Sequence, residues 1–243
     1  MNDHGRVSDP WFARLAAFDL ETTGIDVREA RIVSACVAEI DADGEVVSRR
    51  DWLVNPGIEI PAAAAAVHGI TTERAQAEGM DAAQAVAEIL AAVRAVFDRG
   101  VGLTVYNASY DLSLLAHEAQ RHGIAPISLP SPVIDPLIID KQVDKYRKGK
   151  RTLELACSHY GVALTDAHDA GADAIAAARV AQAIARAFPR EPALTATELH
   201  DLQVQWAAVQ QADFASYMRR SVNPDWVSDR PAWPGGASRI IGT

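Results

Sequence analysis

The chain predicts an α/β fold. A five-stranded mixed sheet, an antiparallel meander extended by parallel strands, is flanked by helices and followed by a helical C-terminal extension. Three apolar, β-branched runs come first, with turn residues between them. Helical periodicity then alternates with two further short apolar runs. Hydrophobic residues make up 49% of the 243, enough to cover both faces of such a sheet.

Residues 13–18 are a short apolar run that meets charge at Asp19, a buried first strand. Residues 31–40 form the second strand. Asp41-Ala42-Asp43-Gly44 supplies the turn, with Gly44 able to take positive φ. Residues 45–54 return as the third strand, which Asn55-Pro56-Gly57 ends. Asp81 caps a helix that puts Val86, Ile89, Leu90, Val93 and Phe97 on one face, and Gly100 closes it. Residues 101–106 are the fourth strand. Residues 111–122 form a helix with Leu112, Leu115 and Ala119 inward, stopped by Gly123. Residues 131–135 make the fifth strand, and helices follow over 136–143, 152–159 and 170–188, the last ended by Pro189. The composition shifts at Pro189-Arg190-Glu191-Pro192, a linker that divides a domain of residues 1–190 from a helix and irregular tail over 191–243. In that helix Leu199, Leu202, Trp206 and Val209 share a face, suited to packing on the domain, to a homodimer or to another protein partner.

The net charge of −9 argues against a protein that grips long duplexes, which is usually basic on one face. The two cysteines, Cys36 and Cys157, have neither disulfide-framework nor zinc-ligand spacing and fit a reducing compartment. The polar N-terminus and the interruption at Asp19 speak against a signal peptide or membrane span, so a cytoplasmic protein without membrane contact is expected. Lys141, Lys145, Arg147, Lys148, Lys150 and Arg151 crowd one stretch, either a solvated loop or a contact to a phosphate backbone, with Tyr146 able to stack on a base.

The chemistry lies in acids at three separated points. Asp19 and Glu21, two apart in a strand, share a face. Asp111 follows the fourth strand at a helix start, His168 lies in the loop before a later helix, and Asp173 lies in that helix's first turns. Gathered together, such carboxylates need cations, since like charges about 4 Å apart repel by roughly 4 kcal/mol at an effective dielectric near 20. Oxygen ligands favour Mg²⁺ or Mn²⁺, and two such ions suit phosphodiester hydrolysis. Thr22, Thr23 and Gly24 turn the chain away and offer hydroxyls and N–H groups to a substrate end, and His168 can take a proton from water. A plainer reading is compatible: Asp111 and Asp173 also favour the helix dipole by about 0.3–1 kcal/mol, and Asn107 can bond its own loop.

Residues 18–24 (FDLETTG), 107–111 (NASYD) and 168–173 (HDAGAD), with 67–71 (VHGIT), resemble the DEDD exonucleases of the histidine subclass, and among them the proofreading epsilon subunits of bacterial DNA polymerase III. The resemblance spans about residues 13–188. It implies a ribonuclease H-like fold and a 3′→5′ exonuclease that frees nucleoside 5′-monophosphates from single-stranded or frayed DNA with two divalent cations, Mg²⁺ or Mn²⁺. Asp19, Glu21, Asp111 and Asp173 would hold the metals and His168 would be the general base. Leu20, Thr22, Thr23, Gly24, His68 and Asn107 would lie near the terminal nucleotide. Tyr106, Tyr110 and Ser34 depart from the histidine, phenylalanine and glutamate common in relatives. The enzyme alternative is a ribonuclease acting on RNA 3′ ends or short oligoribonucleotides. The alternative of another class is a non-catalytic polymerase-accessory module, against which the intact acid set argues.

Overall fold

A computed structural model describes residues 10–165, 167–190, 193–228 and 231–236. Glu191 and Pro192 of the expected linker, and the tail beyond residue 236, lie outside these. The strands are β1 (Leu15–Thr22), β2 (Ile32–Ile40), β3 (Val46–Asn55), β4 (Met80–Asp81), β5 (Gly102–Thr104) and β6 (Val133–Ile134). Among the described residues they form one sheet in the order β4-β3-β2-β1-β5-β6. The meander β1-β2-β3 is antiparallel, and β5 and β6 add in parallel. The expected five strands are present, and the sixth, two-residue β4 pairs in parallel with β3 at one edge.

The helices are α1 (Ala62–His68), α2 (Thr72–Glu78), α3 (Ala82–Asp98), α4 (Ala108–Arg121), α5 (Pro136–Val143), α6 (Leu153–Tyr160), α7 (Ala170–Ala187) and α8 (Ala196–Ser221). Asp81 caps α3 by accepting from Gln84 N, as the sequence predicts. Helices α1 and α2 carry no apolar periodicity, because α1 buries no residue and α2 buries Ala75 alone. Their signals are local: Pro61 precedes α1, and the Thr71 hydroxyl accepts from Arg74 N at the start of α2.

Strand β1 runs on through Thr22, beyond the expected stop at Phe18, because pairing with β2 carries the acids (Asp19 opposite Cys36, Glu21 opposite Ser34). Its alternation divides the core. Ala16, Phe18 and Leu20 pack with Val86, Ile89 and Leu114 of α3 and α4. Leu15 and Ala17 pack with Ala174, Ala178 and Ala181 of α7, whose small side chains let the helix lie close to the sheet. Asp19 and Glu21 continue the Leu15 and Ala17 face and so point to the α7 side.

In α8 the expected stripe holds in part: Leu199 is buried and Trp206 packs on the same core, whereas Val209 is 61% exposed and the other buried residues are His200, Gln203 and Ala207. The reason is the sheet edge. Strand β6 would leave backbone groups unpaired, and α8 meets them with polar side chains. His200 Nδ1 accepts from Val133 N (3.1 Å), Gln203 Oε1 accepts from Asp135 N (2.7 Å), and Gln203 Nε2 donates to the Val133 carbonyl (3.0 Å). No helix among the described residues is long and apolar enough to cross a membrane.

Candidate active site

The acidic pocket forms at the C-terminal end of β1. A register shift between Glu21 and Thr22 bends the chain off the sheet just past the two acids. The loop that follows is held by its own hydroxyls. Thr23 Oγ1 accepts from Arg31 N (2.9 Å), and Tyr110 Oη donates to the Gly24 carbonyl (2.5 Å) while standing 2.7 Å from Thr22 Oγ1. Tyr110 therefore uses its hydroxyl to tie α4 to this loop, something a phenylalanine there could not do. The Leu20 side chain faces the core, so the backbone is what this residue offers the pocket.

Asp111 comes from the first turn of α4 and is 4% exposed. The turn before it depends on Asn107, which adopts φ 65°, a left-handed conformation that asparagine tolerates better than most residues. Asp135, fully buried, locks that turn by accepting from Asn107 N (3.1 Å), Ala108 N (3.0 Å) and Leu137 N (3.0 Å). Trp233, from the C-terminal tail, adds a fourth donor through Nε1 at 3.0 Å and stacks obliquely on His200.

Asp173 comes from the first turn of α7, which Asp169 caps by accepting from Ala172 N (2.9 Å). His168 has φ 70° and donates its backbone N–H to Asp173 Oδ2 (3.3 Å). Among the described residues, Asn107 and His168 are the two non-glycine residues with positive φ, and both border the pocket. Backbone strain of this kind gathers at functional sites. The imidazole of His168 is half-exposed, with Nε2 3.8 Å from Glu154 Oε1 at the start of α6. His68 is half-buried, accepts from Ile70 N at Nδ1 (3.2 Å), and lines a polar cavity of about 210 Å³ with His168, Asp169, Arg49 and Arg74. Burial and the neighbouring His168 hold the His68 imidazole below its ordinary pKa, against the Thr22 backbone, which raises it.

The electrostatics are those of acids without counterions. Burial, followed by Asp111, Glu21 and Asp173, pushes the Asp19 carboxyl well above the usual range. Burial and the charges of Asp173 and Asp169 push Glu21 up to about 8. Burial raises Asp111 against the hydrogen bonds it receives from the backbone of α4 and Leu20, and burial likewise raises Asp173. Asp173 Oδ1 is buried and makes no hydrogen bond among the described residues. Glu21, His168 and Asp173 each bring a ligand atom within 4.8 Å of the others. Hard oxygen donors, raised carboxyls and an orphaned buried oxygen fit divalent cations.

The chain thus brings Asp19, Glu21, Asp111 and Asp173 together, with His168 and His68 at the rim. Sequence reasoning missed Asp169, a fifth acid that acts on Asp19 and Glu21 and is met by Arg49 at 3.5 Å. It also missed Asp135. Each precedes a helix as an N-cap, and that signal was available.

An exonuclease (RNase_T) family profile matches residues 16–181. A DNA polymerase III subunit epsilon-like protein from Rhodobacter capsulatus is 32% identical over 177 residues, 71% of this chain and 23% of that protein. A DNA polymerase III of the PolC type from Lacticaseibacillus paracasei is 25% identical over 162 residues, 67% of this chain and 10% of that protein. The chain therefore spans about a tenth to a quarter of these relatives. In structure, E. coli exonuclease I in complex with a dA16 oligonucleotide superposes with a TM-score of 0.60 at 19% identity, over 84% of this chain and 45% of that one. The ribonuclease H-like fold is thereby shared.

Proposed function

This chain belongs to the DEDD-type exonuclease family, and we propose that it removes nucleoside 5′-monophosphates stepwise from the 3′ ends of single-stranded or frayed DNA. The observation that carries this reading is the convergence of four carboxylates from three distant segments, all raised above their ordinary range. The oligonucleotide bound by exonuclease I supports a single-stranded substrate, and the polymerase relatives favour DNA over RNA.

Asp19, Glu21, Asp111 and Asp173 would hold two Mg²⁺ or Mn²⁺ ions. Such ions lower the pKa of an attacking water and stabilise charge on the departing 3′ oxygen. His168 stands at the open side of the pocket, where its imidazole can take the water's proton, with Glu154 Oε1 3.8 Å from its Nε2. Leu20, Thr22, Thr23 and Gly24 would border the terminal nucleotide, on a strand end and loop whose shape their hydrogen bonds to Asp111, Tyr110 and Arg31 fix. His68 walls the adjoining cavity, and Asn107 fixes Asp111 through its backbone. Reduced cysteines and a DNA substrate suit the cytoplasm. The exposed Phe214 and Tyr217 of α8 supply a face for a polymerase partner of the kind these relatives contain.

The test is product analysis on DNA and RNA oligomers labelled at either end, with Mg²⁺ or Mn²⁺, beside Asp19→Ala. Stepwise shortening from the 3′ side, faster on DNA and lost in the variant, is expected. Internal cuts, or activity surviving in Asp19→Ala, would overturn the mechanism.

A further inference from the structure

The basic run singled out in the sequence divides in two. Asp140 is fully buried and takes hydrogen bonds from Arg147, from Arg151 Nη1 (2.7 Å) and from Tyr160 Oη (2.5 Å). Arg151 Nη2 also donates to the Asp144 carbonyl (2.5 Å), and Tyr106 Oη donates to the Arg151 carbonyl (2.8 Å). The arginines point inward and fix the loop between α5 and α6. Lys145, Lys148 and Lys150 point outward, are exposed, and make no ion pair among the described residues. Tyr146 between them is 89% exposed.

The loop sits at the rim of the acidic pocket. Its anchor, Tyr106, directly precedes Asn107 in the turn that sets Asp111. The helix it leads into begins beside His168, through Glu154. The four residues from Lys150 to Glu154 span at most about 14 Å, so Lys150 lies within a few nucleotides of the reacting end, and Lys148, Tyr146 and Lys145 precede it on the same loop. In a chain of net charge −9, whose pocket is itself acidic, a cluster of exposed lysines offers a polyanion a favourable approach. Lysines interleaved with an exposed aromatic are the chemistry that holds a single strand, by phosphate contact and base stacking.

We propose that Lys145, Tyr146, Lys148 and Lys150 form a strand-holding loop that grips the backbone and one base of single-stranded nucleic acid, just 5′ of the nucleotide being removed. This rests on the exonuclease reading for its direction. Fluorescence anisotropy of a labelled single-stranded DNA oligomer, with chelator present so that nothing is cut, tests it across a salt series. Replacing all three lysines by glutamine should weaken binding about tenfold and make the dependence of log K on log salt shallower by about 2, at roughly 0.7 per phosphate contact. The triple arginine replacement should restore the wild-type slope. Tyr146→Ala should weaken binding roughly tenfold with the slope unchanged, as loss of a stacking contact does. Equal slopes in wild type and the glutamine variant, with both proteins folded by thermal melting, would overturn the loop and leave the exonuclease reading intact. A slope difference in a wild type that cuts no oligomer under Mg²⁺ or Mn²⁺ would support the loop and overturn that reading instead.

Discussion

Two buried acid clusters in this protein meet opposite fates. Around Asp140, burial pushes the carboxyl up, but hydrogen bonds from Arg147, Tyr160 and Arg151 outweigh it and hold the group below its ordinary range. Around Asp19, burial acts in the same direction, and the charges that act most strongly are all carboxylates, so the group rises. The first cluster carries its counterions in its own sequence, seven and eleven residues downstream. The second leaves its counterions to solution. A buried charge compensated within the chain organises structure, whereas one left uncompensated marks a place where something must bind.

Making the same substitution in both clusters tests that contrast most severely. Asp19→Asn should lower turnover on the order of 10⁴-fold, about 5.5 kcal/mol of barrier. In chelator it should leave the melting temperature unchanged or higher, since it removes a buried acid that must either keep a proton or repel its neighbours. Asp140→Asn should cost about 3–5 kcal/mol of stability, because two largely buried guanidinium groups lose the carboxylate they share. If both variants were destabilised alike in chelator, the two clusters would be of one kind and the distinction would fall.

Acidity gives the contrast a second form, with opposite signs. In the pocket the folded protein keeps protons that the unfolded chain releases near pH 4. Metal-free stability should therefore fall as pH rises from about 5 towards 8, through the range in which Glu21 titrates at about 8. Asp140, held low, contributes stability that is present above the ordinary aspartate range and lost only as pH falls through its lowered value. Mn²⁺ binds the deprotonated acids, so it should flatten the loss at high pH and release protons on binding. Thermal scans with and without Mn²⁺, and calorimetry in buffers of different ionisation enthalpy, read both effects. A metal-free melting curve that rises over that interval, or binding without proton release, would contradict the raised acids.

How legible each region was follows from the kind of signal it carries. The acids were readable because each breaks an apolar pattern: Asp19 and Glu21 interrupt a strand, and Asp111 and Asp173 fall in the first turns of helices with an apolar face. The element order was readable for the same reason, down to the Asp81 cap of α3. Helices α1 and α2 bury almost nothing, and a reading built on apolar periodicity passes over them. Apolar periodicity in α8 registers Leu199 and Trp206, which do pack on the core, but is blind to a polar seam. His200 and Gln203 face inward to satisfy the backbone of β6, a demand visible only once that strand is known to be an edge. Asp135 reads as a cap before Pro136, which it is, but its bonds to Asn107 and Trp233 join positions 28 and 98 residues away.

Asp135 is a third buried acid, and its compensation is intermediate: N–H donors in place of guanidinium groups. Its carboxyl is raised by burial against four hydrogen bonds that lower it. If the tail acts on the pocket, it acts through this residue, since Trp233 touches Asp135 and Asp135 holds the strained Asn107 that aims Asp111. Trp233→Phe keeps the ring against His200 and removes one donor. It should cost about 1–2 kcal/mol of stability, the range for a hydrogen bond to a charged group less partial rescue by the three donors that remain. A looser Asp111 turn should also lower kcat by a few-fold with KM little changed, since Asp135 holds the turn behind Asp111 and does not face the open side of the pocket. Stability lost with kcat intact would reduce the tail to a cover over β6. A fall in kcat alongside it would make residues 231–236 part of what positions the catalytic acids.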